Sequence, residues 1–131
     1  MFRLVYRSVS MLSAPDGVPV RALGDLLEGC LERNAAVGVT GVLAFDGAHF
    51  IQVLEGPIVT VEGLFARISH DPRHADIELL ARESAERLFA TWSMALVYRD
   101  PRLSIVFGRV AAQPMPVAGR AAAKMLAALV A

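Results

Sequence analysis

The chain has 131 residues, 55% of them hydrophobic, which is the size and apolar content of one compact domain. Thirteen basic residues balance thirteen acidic ones, which argues against a nucleic-acid surface built on a basic excess, and the single cysteine, Cys30, excludes an intramolecular disulfide framework. No stretch reaches the roughly 20 apolar residues needed to cross a bilayer, and Arg3 and Arg7 interrupt the start before any signal-peptide core, so a soluble, cytoplasmic protein that binds no membrane is expected.

Residues 2 to 9 alternate as a strand does, with Phe2, Leu4, Tyr6 and Ser8 on one side and Arg3, Val5, Arg7 and Val9 on the other. A Pro15-Asp16-Gly17 turn signal follows. From about Pro19, Leu23, Leu26, Leu27, Cys30, Leu31 and Asn34 recur at helical spacing as far as Gly38. Residues 39 to 45 and 49 to 55 are apolar runs rich in β-formers, joined by the hairpin dipeptide Asp46-Gly47. Pro57 suits the first turn of a second helix, striped by Val61, Leu64, Phe65 and Ile68 and ending near His70. Ile77, Leu79 and Leu80 indicate a fourth strand. Residues 91 to 98 indicate a fifth, with Trp92, Met94, Leu96 and Tyr98 on one face.

The order βαββαββ predicts an α+β, ferredoxin-like fold: a mixed five-stranded sheet with both helices on one face. The tail is expected to cover the other face as a helical cap over 102 to 110 and 117 to 130, the latter through Val117, Ala121, Met125, Leu126 and Leu129. Residues 1–98 are therefore taken as the folded domain and 99–131 as a C-terminal helical extension packing on the sheet.

Three polar residues stand in apolar company on the side facing the first two helices: Tyr6, Gln52 between Phe50 and Leu54, and Asn34 at the end of its helix stripe. An unpartnered amide or hydroxyl inside a protein costs on the order of 1–3 kcal/mol, so each needs a partner. They could satisfy one another or the backbone. A bound polar heterocycle would also answer the need, and a carboxamide suits that role because it can exchange donor and acceptor by rotating.

His70 and His74 lie four apart across Pro72, do not share a helix face and have no third ligand, so the spacing does not support a metal site. Arg73 and His74, with Arg67 upstream, could hold a phosphate or form a solvated turn. There is no phosphate-loop glycine spacing, no serine elbow and no cysteine-histidine pair.

Over about residues 2 to 98 the chain resembles the BLUF family, blue-light sensors that use FAD. The resemblance runs through Leu4-Val5-Tyr6-Arg7-Ser8, Arg33-Asn34-Ala35, Gly38-Val39-Thr40-Gly41-Val42-Leu43, Phe50-Ile51-Gln52-Val53-Leu54-Glu55-Gly56-Pro57, Asp71-Pro72-Arg73-His74, Arg87-Leu88-Phe89 and Trp92-Ser93-Met94. It implies a non-covalent flavin between the two helices, FAD with FMN or riboflavin as alternatives. Asn34 would bond the pyrimidine edge and Gln52 would link Tyr6 to the ring, while Arg33 would flank it. Arg67, Asp71, Arg73 and His74 would contact the ribityl and phosphate portion, and Ser8, Trp92 and Met94 would set how Gln52 sits.

The mechanism it implies is light-driven electron and proton transfer from Tyr6 by way of Gln52, leaving a changed Gln52 arrangement that Trp92 or Met94 passes on. The tail from Arg99 onward is then expected to signal to a separate effector protein, with no catalytic domain of its own. An apolar tail helix or exposed sheet face would support a homodimer or higher homo-oligomer. Cys30 in place of serine, Ala95 in place of glycine and a long connector from Ser10 to Val18 depart from the family pattern. Two rivals are an acylphosphatase-type enzyme, which would need an anion loop the chain lacks after its first strand, and a partner-binding module without flavin.

Overall fold

A computed structural model describes residues 1–12, 20–90, 94–98 and 100–130. The elements run β1 (Phe2–Ser10), α1 (Val20–Val37), β2 (Thr40–Phe45), β3 (His49–Gly56), α2 (Ile58–Ser69), β4 (His74–Ser84), β5 (Ala95–Tyr98), α3 (Leu103–Ala112) and α4 (Val117–Leu129). The strands form one sheet in the order β4-β1-β3-β2-β5. β1 pairs antiparallel with β3 and β4, β2 pairs antiparallel with β3, and β5 runs parallel to β2.

Strand alternation divides the interior in two. Phe2, Leu4, Tyr6, Leu43, Phe45, Phe50 and Leu54 face α1 and α2, where they meet Leu23, Cys30, Val61 and Leu64. Val5, Val42, Ala44, Ile51, Val53 and Val97 face the other way, onto Leu103, Val106 and Val110 of α3 and the alanines of α4. Period-two side-chain direction is what lets one short sheet carry two separate cores.

Local signals set the ends of these elements. The β2–β3 turn has Gly47 at φ 102°, and the Asp46 carboxylate accepts the Ala48 and His49 amides at 2.8 and 2.7 Å. At the end of α1 the Val39 amide donates to Asn34 O at 3.0 Å, which turns the chain directly into β2. β4 is irregular opposite Arg7–Val9, where Asp76 takes φ 53°, and this bulge sets His74 on the α1/α2 face beside Ser8.

Two expectations need correction. The buried stripe of α4 is Ala118, Gly119, Ala122, Ala123 and Leu126, whereas Val117 is exposed. Close approach decided this: a Cβ on Gly119 would stand 2.3 Å from Ala81 Cβ and 2.5 Å from Leu80 O, so α4 presents small residues where it meets β4. The last strand is also shorter than expected among the described residues, starting at Ala95 with Met94 just ahead of it. Residues 91–93, including Trp92, and Arg99 lie outside the described residues.

Candidate functional site

Tyr6 and Gln52 stand directly opposite each other on β1 and β3, and both side chains point at the helix-covered face. Facing residues on adjacent antiparallel strands are close enough for their side chains to meet. The Tyr6 hydroxyl donates to Gln52 Oε1 at 2.5 Å, and Gln52 Nε2 donates to Met94 Sδ at 3.6 Å. Tyr6, Gln52 and Met94 are all buried, so one carboxamide links a phenol to a thioether inside the core.

Tyr6 and Gln52 form part of the wall of a cleft lined also by Leu26, Cys30, Arg33, Leu43, Phe50, Ile68, Asp71, Arg73 and His74. Apolar walls with a few convergent polar groups are typical of small-molecule and cofactor sites. A second hollow shares Arg33, Ile68 and Asp71 with the first and adds Arg67 and Leu64. A planar, apolar-faced heterocycle with a polar edge fits the first cleft, and a charged tail fits the cationic hollow beside it, so the residues present suit a flavin.

Burial pushes the Tyr6 phenol well above its ordinary pKa of 10.0, with Cys30 and Asp71 adding to the effect, so Tyr6 is held neutral as a donor. Burial also raises the Cys30 thiol, against the pull of Arg33, whose Nη2 lies 3.8 Å from Sγ. The Arg73 guanidinium holds Asp71 below the usual carboxylate range through paired bonds, Nε at 2.9 Å and Nη2 at 2.5 Å.

A stability consequence follows for Tyr6. Its folded pKa is raised, so its contribution is intact below the unfolded value of 10.0 and falls away as pH rises beyond it. The unfolding free energy from urea titrations across roughly pH 9 to 11 is expected to fall by up to about 1.4 kcal/mol per pH unit through this one proton, and Tyr6→Phe is expected to remove that component.

The structure gathers most of the expected site residues. Tyr6, Arg33, Gln52, Asp71, Arg73 and His74 line the cleft, and Arg67 lines the adjoining hollow. His74 faces the helix-covered side, with Nδ1 2.7 Å from Ser8 Oγ and Nε2 2.7 Å from Ile68 O. Ser8 is buried and reaches the cleft-lining His74 through this contact. Asn34 is buried at the end of α1 but is not among the residues lining the cleft.

Leu26, Leu43, Phe50 and Ile68 are wall residues that the sequence reading took only as core. Strand parity with Gln52 and the helix stripes already carried that signal. Among the described residues no group of three or more His, Cys, Asp and Glu side chains gathers as a metal site, and no helix is long and apolar enough to cross a membrane.

The family BLUF, sensors of blue-light using FAD, matches residues 1–95, and the chain belongs to that family. It is 37% identical over 112 residues to the blue light- and temperature-regulated antirepressor BluF of Escherichia coli (strain K12), covering 81% of this chain and 27% of that protein. It is 36% identical over 93 residues to photoactivated adenylate cyclase subunit alpha of Euglena gracilis, covering 70% of this chain and 9% of that one. The chain thus spans about a quarter of the first relative's length and about a tenth of the second's. The dark-state structure of the BLUF protein BlrB superposes with a TM-score of 0.81 at 31% identity, over 97% of this chain and 95% of that one. The photo-activated state of BlsA gives 0.73 at 34%, over 81% and 75%. As a member of this family the chain is a blue-light sensor with a flavin cofactor.

Proposed function

We propose that Tyr6 and Gln52 are the photochemical pair of this sensor, and that the orientation of the Gln52 carboxamide is the signal. The observation that carries this is the buried relay from Tyr6 hydroxyl to Gln52 Oε1 and from Gln52 Nε2 to Met94 Sδ on the cleft wall. Bound in the cleft, a flavin supplies blue-light absorption and, once excited, a strong one-electron oxidant. Tyr6 is the electron donor that this chemistry needs, and its proton can move along the short bond to Oε1 as the ring is oxidised and return afterwards.

The carboxamide itself can stay changed. In the dark arrangement Oε1 accepts from Tyr6 and Nε2 donates to the Met94 thioether. A half-turn about the last side-chain bond puts Nε2 toward Tyr6 and Oε1 toward Sδ. A thioether has no proton to donate, so that arrangement breaks the contact with Met94 and releases the residue just ahead of β5. A tautomerised carboxamide would reach a similar outcome. Arg33 would flank the ring and Asn34 would bond its edge, while Arg67, Asp71, Arg73 and His74 would hold the ribityl and phosphate part. The cationic hollow supports FAD or FMN over riboflavin, because only a phosphorylated cofactor would use its arginines.

Output is proposed to pass through β5 to the extension from residue 99 onward and so to a separate effector protein in the cytoplasm. The packing of α3 and α4 against the sheet face opposite the cleft supports this. So does the ion pair of Arg120 with Glu83, two bonds of 2.7 Å that join α4 to β4.

The test is a visible spectrum of protein from flavin-replete cells before and after blue illumination. A yellow protein with a reversible red shift is expected, and Tyr6→Phe is expected to keep the flavin and lose the normal shift. A colourless protein that fails to bind added FAD or FMN, or an unchanged cycle in Tyr6→Phe, would overturn the assignment.

A further inference from the structure

Glu55 is a fully buried charged residue that the photochemistry above does not use. It lies three residues beyond Gln52 on the same strand, with its side chain on the opposite face by parity. Its carboxylate accepts Arg3 Nε at 3.0 Å, the Leu88 amide at 3.0 and 2.9 Å and the Phe89 amide at 2.9 Å. Arg3 is its direct partner across the β1–β3 ladder and also donates to Glu86 O.

These bonds act on a demanding piece of chain. β4 and β5 are the two opposite edges of the sheet, so the connector between them has to cross the ends of β1, β3 and β2. It is fastened under each of these strands. The Ala85 amide donates to Met1 O at 2.8 Å, Glu55 and Arg3 hold residues 86, 88 and 89, and Arg87 reaches Thr40 Oγ1 at 2.5 Å and Gly38 O at 3.3 Å. Phe89 is buried in the α3/α4 core, yet Met94, five residues on, is buried on the α1/α2 side against Gln52. Phe89 and Met94 therefore lie on opposite faces of the sheet, and Glu55 holds the first of them.

We propose that Glu55 is a positioning residue for the photocycle: by fixing the backbone at Leu88 and Phe89 to the strand that carries Gln52, it sets where Met94 stands against the carboxamide and so how long the light-induced arrangement lasts. This rests on the Tyr6–Gln52 reading above. A carboxylate is suited to the task because both oxygens accept, and it meets three N–H donors at once. A glutamine has one acceptor oxygen and presents an NH2 group to those same donors.

The test uses Glu55→Gln in the full chain with methionine methyl groups labelled for NMR, the Met94 resonance being assigned by its loss in Met94→Leu. The Met94 resonance is expected to move and the Leu88 and Phe89 amides to exchange faster with solvent. Dark recovery is expected to change by about tenfold, and that change is expected to vanish in a Met94→Ala background. An unmoved Met94 resonance with faster Leu88 and Phe89 exchange would overturn the proposal, as would a recovery change that persists undiminished in Met94→Ala.

If Glu55→Gln does not fold, Glu55→Asp keeps the charge beside Arg3 and, one methylene shorter, draws the carboxylate back from the Leu88 and Phe89 amides. The same displacement of the Met94 resonance is expected there, and its absence would overturn the proposal. A wild-type protein with no light cycle would sink the photochemical reading instead, and the Met94 resonance would still decide whether Glu55 positions that residue.

Discussion

Gln52→Leu is expected to yield a protein that still binds flavin and has no normal photocycle. Leucine fills much of the volume of the glutamine side chain, and the apolar walls of the cleft, Leu26, Leu43, Phe50 and Ile68, are untouched, so the cofactor should be retained. What disappears is the relay. The Tyr6 hydroxyl loses the Oε1 acceptor that stands 2.5 Å away, and Met94 Sδ loses its donor. A buried hydroxyl left without its partner costs about 1–3 kcal/mol, so some loss of thermal stability should accompany the change. Difference spectra under blue light should show no reversible red shift of the kind seen in the parent. A normal shift and recovery in Gln52→Leu would remove the role assigned to the carboxamide, whatever its effect on stability.

Gly41→Ala is expected to be among the most destabilising single-methyl changes in the chain, by about 3 kcal/mol or more, because overpacking costs rise when the neighbour cannot move. A Cβ built on Gly41 would lie 1.8 Å from Val53 O and 2.9 Å from Val53 C, which are backbone atoms of the adjoining strand. No rotamer change relieves such a contact. Either β2 shifts away from β3 or the local pairing opens, and β2 carries Leu43 of the cleft wall while β3 carries Gln52. A fall in melting temperature on the order of 10 °C is expected. Gly63→Ala is the control: it lies in α2 with nothing within 4 Å of its added Cβ, and alanine there should stabilise by about 0.5–1 kcal/mol. Thermal melts of the two variants against the parent check both signs.

Much of the site could be read from one-dimensional pattern because the features concerned are local. Alternation in residues 2 to 9 placed Tyr6 and Ser8 on one side, alternation in β3 placed Gln52 with Phe50 and Leu54, and the stripe of α1 ran to Asn34. The Asp46-Gly47 hairpin was equally plain, since its turn chemistry lies within the turn. Other features depend on partners far along the chain. That Tyr6 faces Gln52 directly is a matter of strand register, and no property of either residue announces it. His74 read as part of a charged turn until the irregularity in β4 set it against Ser8. Glu55 read as one residue of a family motif, because its amide partners lie more than thirty positions away in a connector with no pattern of its own.

The α4 surface shows the same limit on a helix. The expected stripe runs through Val117, Ala121, Met125, Leu126 and Leu129, of which Leu126 is buried and Met125 and Leu129 pack against the core, yet the helix lies on β4 through Ala118, Gly119 and Ala122. Burial depends on fit as well as apolarity, and a helix that must approach within a Cβ of a strand backbone presents small residues at that contact.

By itself the sequence determined which elements form, which face of each is apolar, and that a phenol and two amides point into the interior, since periodicity and turn chemistry are properties of neighbouring residues. The tertiary structure alone decided the strand order, the Tyr6–Gln52 register, the inward turn of His74 and the fastening of the last connector by Glu55. Each of those is a pairing between distant segments, settled by which surfaces pack together without voids or unpaired polar groups.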